Sequence, residues 1–171
     1  TISAHQGKFI VSRSAESILK EIEKISEEES FKGYISDLGG PSANMYRLGG
    51  KDIEICKKCK RPTCLHPKIC PNLNTDHSEV LNLYAAVRKL PFIKKAFIGS
   101  GIRYDLATDA YLKEVVKNHV SGRLKVAPEH TSDVVLNLMR KPSFSLFKEF
   151  DKKFNKFNEE FGLKQQLIPY F

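Results

Sequence analysis

At 171 residues, 41% apolar and with 10 glycines and 8 prolines, the chain has the length and composition of one ordinary globular domain, which excludes a disordered or low-complexity polymer. Its 28 basic and 20 acidic residues leave a net charge of +8, which permits acidic partners such as nucleic acid or phosphate-bearing ligands, although the lysines are spread over helices and loops as on a solvated surface. No apolar run approaches the ~20 residues of a membrane span and the first residues lack the regions of a secretory signal, so the expected compartment is the cytoplasm.

In chain order, the apolar pair Ile10 and Val11 precedes Ser14, a serine placed to cap a helix over 14–29 whose buried face is Ile18, Leu19, Ile22 and Ile25. A strand over 34–38 follows Gly33 and ends in Gly39 and Gly40. Helix then strand is the second half of a crossover unit, so its first strand is expected before Thr1; both ends of the sequence read as cut. Residues 45–76 show neither helical nor strand period, which inside a compact domain marks a functional segment. A helix over 78–89 carries Val80, Leu81, Tyr84 and Val87 at spacings of three and four, and Pro91 closes it before a strand over 94–99.

A third helix over 106–119 packs Leu106, Tyr111, Leu112, Val115 and Val116; Ser121-Gly122 stops it, and a strand over 124–127 follows. Residues 131–140 make a short helix with Val134, Val135, Leu138 and Met139 on one side. From Ser143 a longer helix spaces Phe147, Phe150, Phe154, Phe157 and Phe161 as a core-packing stripe, and Gly162 ends it before a strand over 167–171. Strands alternating with helices predict an α/β fold with a parallel sheet, in one domain over 1–171 with an irregular insertion over 45–76. Four apolar runs each end in small, polar or charged residues, which places a ligand beyond the strand C-termini.

All four cysteines fall in the insertion, as Cys56-x2-Cys59-x4-Cys64-x5-Cys70, with His66 among them and Pro62, Pro67 and Pro71 stiffening the backbone. In a reducing compartment four thiols in fifteen positions match the ligand count of a tetrahedral zinc site or of an auxiliary iron–sulfur cluster. Lys57, Lys58, Lys60 and Arg61 favour the thiolate form.

The succession Ser36-Asp37-Leu38-Gly39-Gly40-Pro41-Ser42-Ala43-Asn44, Gly99-Ser100-Gly101-Ile102-Arg103-Tyr104-Asp105, Leu124-Lys125-Val126-Ala127-Pro128-Glu129-His130 and Ile168-Pro169-Tyr170-Phe171, with the cysteine segment and the opening His5-Gln6-Gly7, resembles the YgiQ-type radical S-adenosylmethionine proteins. The resemblance runs in order over essentially the whole chain. It implies an incomplete parallel (β/α) barrel, about four strands and four to five helices of a partial (β/α)6 barrel. In such enzymes a four-iron four-sulfur cluster, held by a C-x3-C-x2-C loop after the first strand, cleaves S-adenosylmethionine to a 5′-deoxyadenosyl radical. No C-x3-C-x2-C occurs in these 171 residues. The implied cluster ligands therefore lie before Thr1, a sixth strand lies after Phe171, and the chain by itself is expected to be inactive.

Residue by residue, Gly39 and Gly40 are similar to the glycine motif that presents backbone to the amino group of S-adenosylmethionine. Ser100 and Arg103 sit past the next strand, where a hydroxyl and a planar fork of donors suit a carboxylate. Glu129 stands where related barrels set a polar residue against the ribose hydroxyls, and His130 beside it reads either as a proton carrier or, the reading favoured, as a cap for the helix after it. Asp133, Leu136, Met139 and Arg140 resemble the following helix of methylthiotransferase-like radical enzymes. No residue stands out as catalytic, and the fold does not name a substrate. A second reading is a binding module, a basic α/β domain with a zinc loop that grips RNA or another acidic partner; exposed aromatics near the lysine-rich loop would favour it.

Overall fold

The computed structural model describes residues 11–40 and 42–171; His5, Gln6, Gly7 and Ile10, and Pro41 of the Gly-Gly-Pro turn, lie outside the described residues. Helix α1 (Ala15–Ser26) starts where the Ser14 hydroxyl accepts the amide of Ser17 at 3.1 Å, the capping the sequence predicts. Ile22 is buried and Ile18 and Leu19 pack beside it, whereas Ile25, expected inside, is exposed in the last turn.

Strand β1 (Tyr34–Ile35) runs parallel to β2 (Lys95–Ala96), with Tyr34 opposite Lys95 and Ile35 opposite Ala96. Backbone bonds carry the pairing past these residues, from Phe97 N–H to Ile35 O and from Leu38 N–H to Phe97 O. Strand β3 (Arg123–Val126) pairs parallel with β4 (Gln166–Pro169), and an Ile102–Val126 parallel bridge links this pair to the loop after β2. The strands thus succeed one another in chain order with helices between them. They form two parallel pairs rather than one continuous sheet, and no closed barrel forms among the described residues.

Helix α2 (Ile53–Lys58) lies in the insertion, α3 (Ser78–Arg88) between the insertion and β2, and α4 (Asp109–Asn118) between β2 and β3. The Thr108 hydroxyl caps α4 by accepting the amide of Tyr111, so the helix begins three residues later than its apolar period suggests. After β3 come α5 (Asp133–Leu138) and α6 (Phe144–Glu160). Phe150, Phe154 and Phe157 of α6 are buried with Tyr111, Leu112, Val115 and Val116 of α4 and Leu124 and Val126 of β3. Each such side chain contributes about 1.5–3 kcal/mol relative to exposure. A smaller core joins Ile22 to Leu83, Val87 and Ala96.

Helix α6 closes in a Schellman turn: Gly162, at φ +64°, lets its own amide reach Glu159 O and the amide of Leu163 reach Asn158 O. The same turn ends α5, but there Arg140 occupies the left-handed position at φ +56° and the amide of Lys141 bonds Leu136 O. On α5 only Leu136 is buried. Val134 and Leu138, expected to share a packed face, are 74% and 79% exposed. No helix among the described residues is long and apolar enough to cross a membrane.

The insertion is more ordered than its sequence period suggests. A 3-10 turn (Ala43–Met45) leads into it, and antiparallel contacts close its base: Gly50 bridges Leu73, the Lys51 amide bonds Asn72 O, and the Asn74 amide bonds Gly49 O. Within it, α2 (Ile53–Lys58) is capped by Asp52, whose carboxylate accepts the amides of Glu54 and Ile55. Ile53 and Ile55 of this helix are exposed, so it carries no amphipathic signal.

Candidate functional site

The loops that leave β1, β2 and β3 at their C-terminal ends are stitched together by side chains. Asp37, just past β1, accepts the amide of Gly99 at 3.0 Å on one carboxylate oxygen and the hydroxyl of Ser100 on the other. Gly39 packs into this junction: a Cβ there would stand 2.6 Å from an Asp37 oxygen and 3.0 Å from Ser100 Cβ. Gly40 differs, because a Cβ at that position would meet nothing within 4 Å. Neither glycine has a left-handed φ, so the pair is not required by backbone strain; Gly39 is required by crowding.

One turn further, Asn44 is fully buried and acts as a clamp between the loops. Its amide nitrogen donates to Arg103 O at 2.8 Å, and its oxygen accepts the Arg103 amide at 2.7 Å. The Arg103 side chain does hold a carboxylate, but that of its neighbour. Its fork donates from Nε and from one terminal nitrogen to the two oxygens of Asp105 at 2.9 and 2.7 Å. Between them in sequence, the Tyr104 ring packs against Phe147 and Phe150 and is 7% exposed, yet its hydroxyl has no hydrogen-bond partner. Burial first, and then Asp105, push the Tyr104 phenol up to about 12; Arg103 opposes them, and Glu129 also acts on it.

Past β3, Glu129 stands at φ +70°, a left-handed conformation that costs a non-glycine residue about 1–2 kcal/mol. Its amide bonds Tyr170 O beyond β4, and its carboxylate accepts Lys141 Nζ at 2.6 Å. Lys141 is delivered there by the left-handed Arg140, so two strained residues bracket one ion pair. His130 is placed as a cap: its Nδ1 accepts the Ser132 amide at 2.8 Å just ahead of α5. Asp133 ties α5 to α6 by accepting the Phe144 amide and the Ser143 hydroxyl.

Gly39 and Ser100 are therefore brought into contact, whereas Arg103 and Glu129 are each engaged elsewhere, with Asp105 and with Lys141. Asp37, Asn44 and Tyr104 fall within the motifs quoted above without a role of their own there, and Lys141 falls outside them; what each does is recognised only by a partner distant in the chain or by burial. Two surface hollows, of about 680 and 390 Å³, lie elsewhere, along α1 and between α3 and α4.

In the insertion the four cysteines are all half-buried. Asn72 donates its side-chain amide to Cys56 Sγ at 3.2 Å, the Arg61 backbone amide donates to Cys59 Sγ at 3.4 Å, and the Cys70 amide bonds Cys64 O. Burial first, then the like charges of Cys70, Cys56 and Cys59, push the Cys64 thiol up, while Arg61 pulls it down. The sequence leads one to expect at least three sulfurs around a common point. Among the described residues no group of three or more His, Cys, Asp or Glu side chains is gathered tightly enough to hold a metal ion as it stands.

His77 leaves the insertion into α3 and is 2% exposed, its ring 4.8 Å from that of Tyr111. The backbone of Asn44 and Thr75 flanks the imidazole, but neither ring nitrogen has a partner at hydrogen-bond geometry. Burial pushes its pKa below the ordinary value, with Asp76 opposing. The unfolded chain then takes up a proton near pH 6.5 that folded His77 does not, so stability is full above that pH and declines as pH falls toward the depressed folded value. His77→Phe should flatten this decline, read as the difference in urea-unfolding free energy between about pH 7.5 and 5.5. His119 is also buried and lowered, with Ala96 O and Glu114 opposing and Arg88 assisting, but it is common to both proteins. Equal pH dependence in the two would show that His77 takes up its proton as readily in the folded as in the unfolded chain.

No family model matches the sequence, and no solved structure matches it significantly. Curated proteins do match, over the whole chain. It is 62% identical to a UPF0313 protein of Bacteroides thetaiotaomicron, 59% identical to one of Porphyromonas gingivalis and 51% identical to one of Pseudomonas syringae pv. tomato. Its homologues are UPF0313 proteins. The match takes in 100% of this chain but 30%, 29% and 23% of those relatives, so the chain spans less than a third of their length. In those relatives, further residues accompany the segment that this chain matches.

Proposed function

We propose that this chain forms part of the barrel of a radical S-adenosylmethionine enzyme, with the cofactor lying across the C-terminal ends of β1, β2 and β3. The four-iron four-sulfur cluster would be held by residues outside the chain. The observation that carries the reading is the Tyr104 hydroxyl in the loop after β2: 7% exposed as a residue and without a hydrogen-bond partner. A buried hydroxyl without a partner costs about 1–3 kcal/mol, so a ligand that accepts its hydrogen bond removes that penalty.

The residues present suit such a ligand. At Gly40 the space a side chain would fill is open, which lets backbone face the amino end of the cofactor. Glu129 accepts hydrogen bonds from a ribose diol once Lys141 shares its carboxylate. Ser100 and Arg103 are already held by Asp37 and Asp105, so they act as positioned, largely neutralised groups rather than as free binders of a carboxylate. When bound beside its cluster, the cofactor supplies radical chemistry; the chain supplies orientation and exclusion of water. The binding-module reading gains no support from α6, whose Phe150, Phe154 and Phe157 face the core and offer no surface for stacking on bases.

The test uses the whole protein, reconstituted anaerobically with iron and sulfide, reduced with dithionite and given S-adenosylmethionine. Release of 5′-deoxyadenosine is expected. A reconstituted, reduced protein that neither binds nor cleaves S-adenosylmethionine would refute the proposal.

A further inference from the structure

None of residues 51–72 is buried, yet this excursion leaves a closed antiparallel base and holds a capped helix and a set of defined backbone bonds. Ordering each residue costs about 1–2 kcal/mol of backbone entropy, and here no apolar core offsets it: Ile53, Ile55 and Ile69 are exposed. Small segments without a core are normally stapled by a disulfide or a metal. Between 51 and 60 the two residues that escape full exposure are Cys56 and Cys59; beyond them Cys64 and Cys70 are half-buried as well. Cys56 lies directly over the bare backbone of Gly50, where a Cβ would come within 2.2 Å of its sulfur.

We infer that Cys56, Cys59, Cys64 and Cys70 bind one zinc ion, which draws the four half-buried sulfurs together and supplies the staple the excursion lacks. Two donors already address sulfur as the outer shell of a thiolate site does, Asn72 Nδ2 to Cys56 and the Arg61 amide to Cys59. The Cys56-x2-Cys59 pair ends α2, so both sulfurs leave one turn of chain, and the Cys70 amide bonded to Cys64 O holds the second pair's backbones together. An ion satisfied by four thiolates fits better than an iron–sulfur cluster, since no buried apolar residue in 51–72 can cover inorganic sulfide. Binding releases the protons of the thiols that become ligands.

The test is a titration of the full chain with Co²⁺, then Zn²⁺, under reductant. Because these 171 residues contain no C-x3-C-x2-C, thiolate-bound metal reports on the insertion alone and stands or falls independently of the radical-enzyme reading. Expected are saturation of thiolate-to-cobalt charge-transfer absorption at one equivalent and its displacement by one equivalent of zinc. Cys64→Ser should weaken zinc at least tenfold. Asn72→Ala, which keeps every ligand and removes one donor to sulfur, should weaken it by about tenfold. Absence of charge-transfer absorption at one equivalent would overturn the inference. So would unchanged zinc affinity in Cys64→Ser and Asn72→Ala when both keep the wild-type near-ultraviolet signal of the tyrosine core, or purification of the chain with iron and acid-labile sulfide.

Discussion

Asn44→Ala is expected to destabilise the protein by about 2–4 kcal/mol. The Asn44 side chain is fully buried and exchanges two hydrogen bonds with the backbone of Arg103, fifty-nine residues away. Arg103 O keeps a second donor, the amide of Leu106, so its loss is partial. The half-buried Arg103 amide loses its side-chain partner, and an unpaired buried N–H costs up to about 1–3 kcal/mol. Asn44→Asp retains the acceptor but turns the donor into a second acceptor facing Arg103 O and buries a charge, so it should be no better than alanine. Both variants are read by urea unfolding with a common slope. A loss below about 1 kcal/mol in Asn44→Ala would show that the two loops are held by other contacts. Because the clamp joins the loop after β1 to the loop after β2, the same variant should also loosen the rim on which Ser100 and Tyr104 stand.

That clamp illustrates where the sequence stops being readable. The Ser14 cap, the phenylalanine stripe of α6 and its Gly162 stop are local, in that cause and consequence lie within a turn or two of chain, and each is visible as a residue type at a spacing. Parallel pairing of successive strands follows from their alternation with helices. Asn44, by contrast, is one more polar residue in a turn-like stretch until Arg103 is folded against it, and Asp37 is unremarkable until it caps the loop after β2. Helix α2 escaped because its apolar residues are exposed, so no burial imposes a period; only the Asp52 cap marks it. Residues 131–140 misled in the opposite sense: Val134 and Leu138 share a helical face, but the face is open and Leu136 alone points inward. For Arg103 the chemistry was legible and the partner was not. A guanidinium at a strand end reads as a carboxylate binder, and the carboxylate it finds is Asp105.

Gly40→Val should weaken S-adenosylmethionine binding at least tenfold in the whole protein, a loss of about 1.4 kcal/mol, while changing folding stability little. The two halves of this expectation come from one geometric contrast. A Cβ at Gly40 would meet no atom within 4 Å and Gly40 has no left-handed φ, so a side chain starts there from open space and an unstrained backbone. The space such a side chain fills is the space proposed for the amino end of the cofactor. At Gly39 the balance reverses. There a Cβ would press within 2.6 Å of the Asp37 carboxylate and 3.0 Å of Ser100 Cβ, so Gly39→Ala must break the junction of Asp37 with Gly99 and Ser100 or shift it. Gly39→Ala should lower the melting temperature and lower affinity with it; Gly40→Val should lower affinity alone. Calorimetric titration with S-adenosylmethionine beside thermal unfolding separates the two. Wild-type affinity in a normally folded Gly40→Val protein would mean that the open space at Gly40 faces solvent and that the glycine pair is only the turn that follows β1.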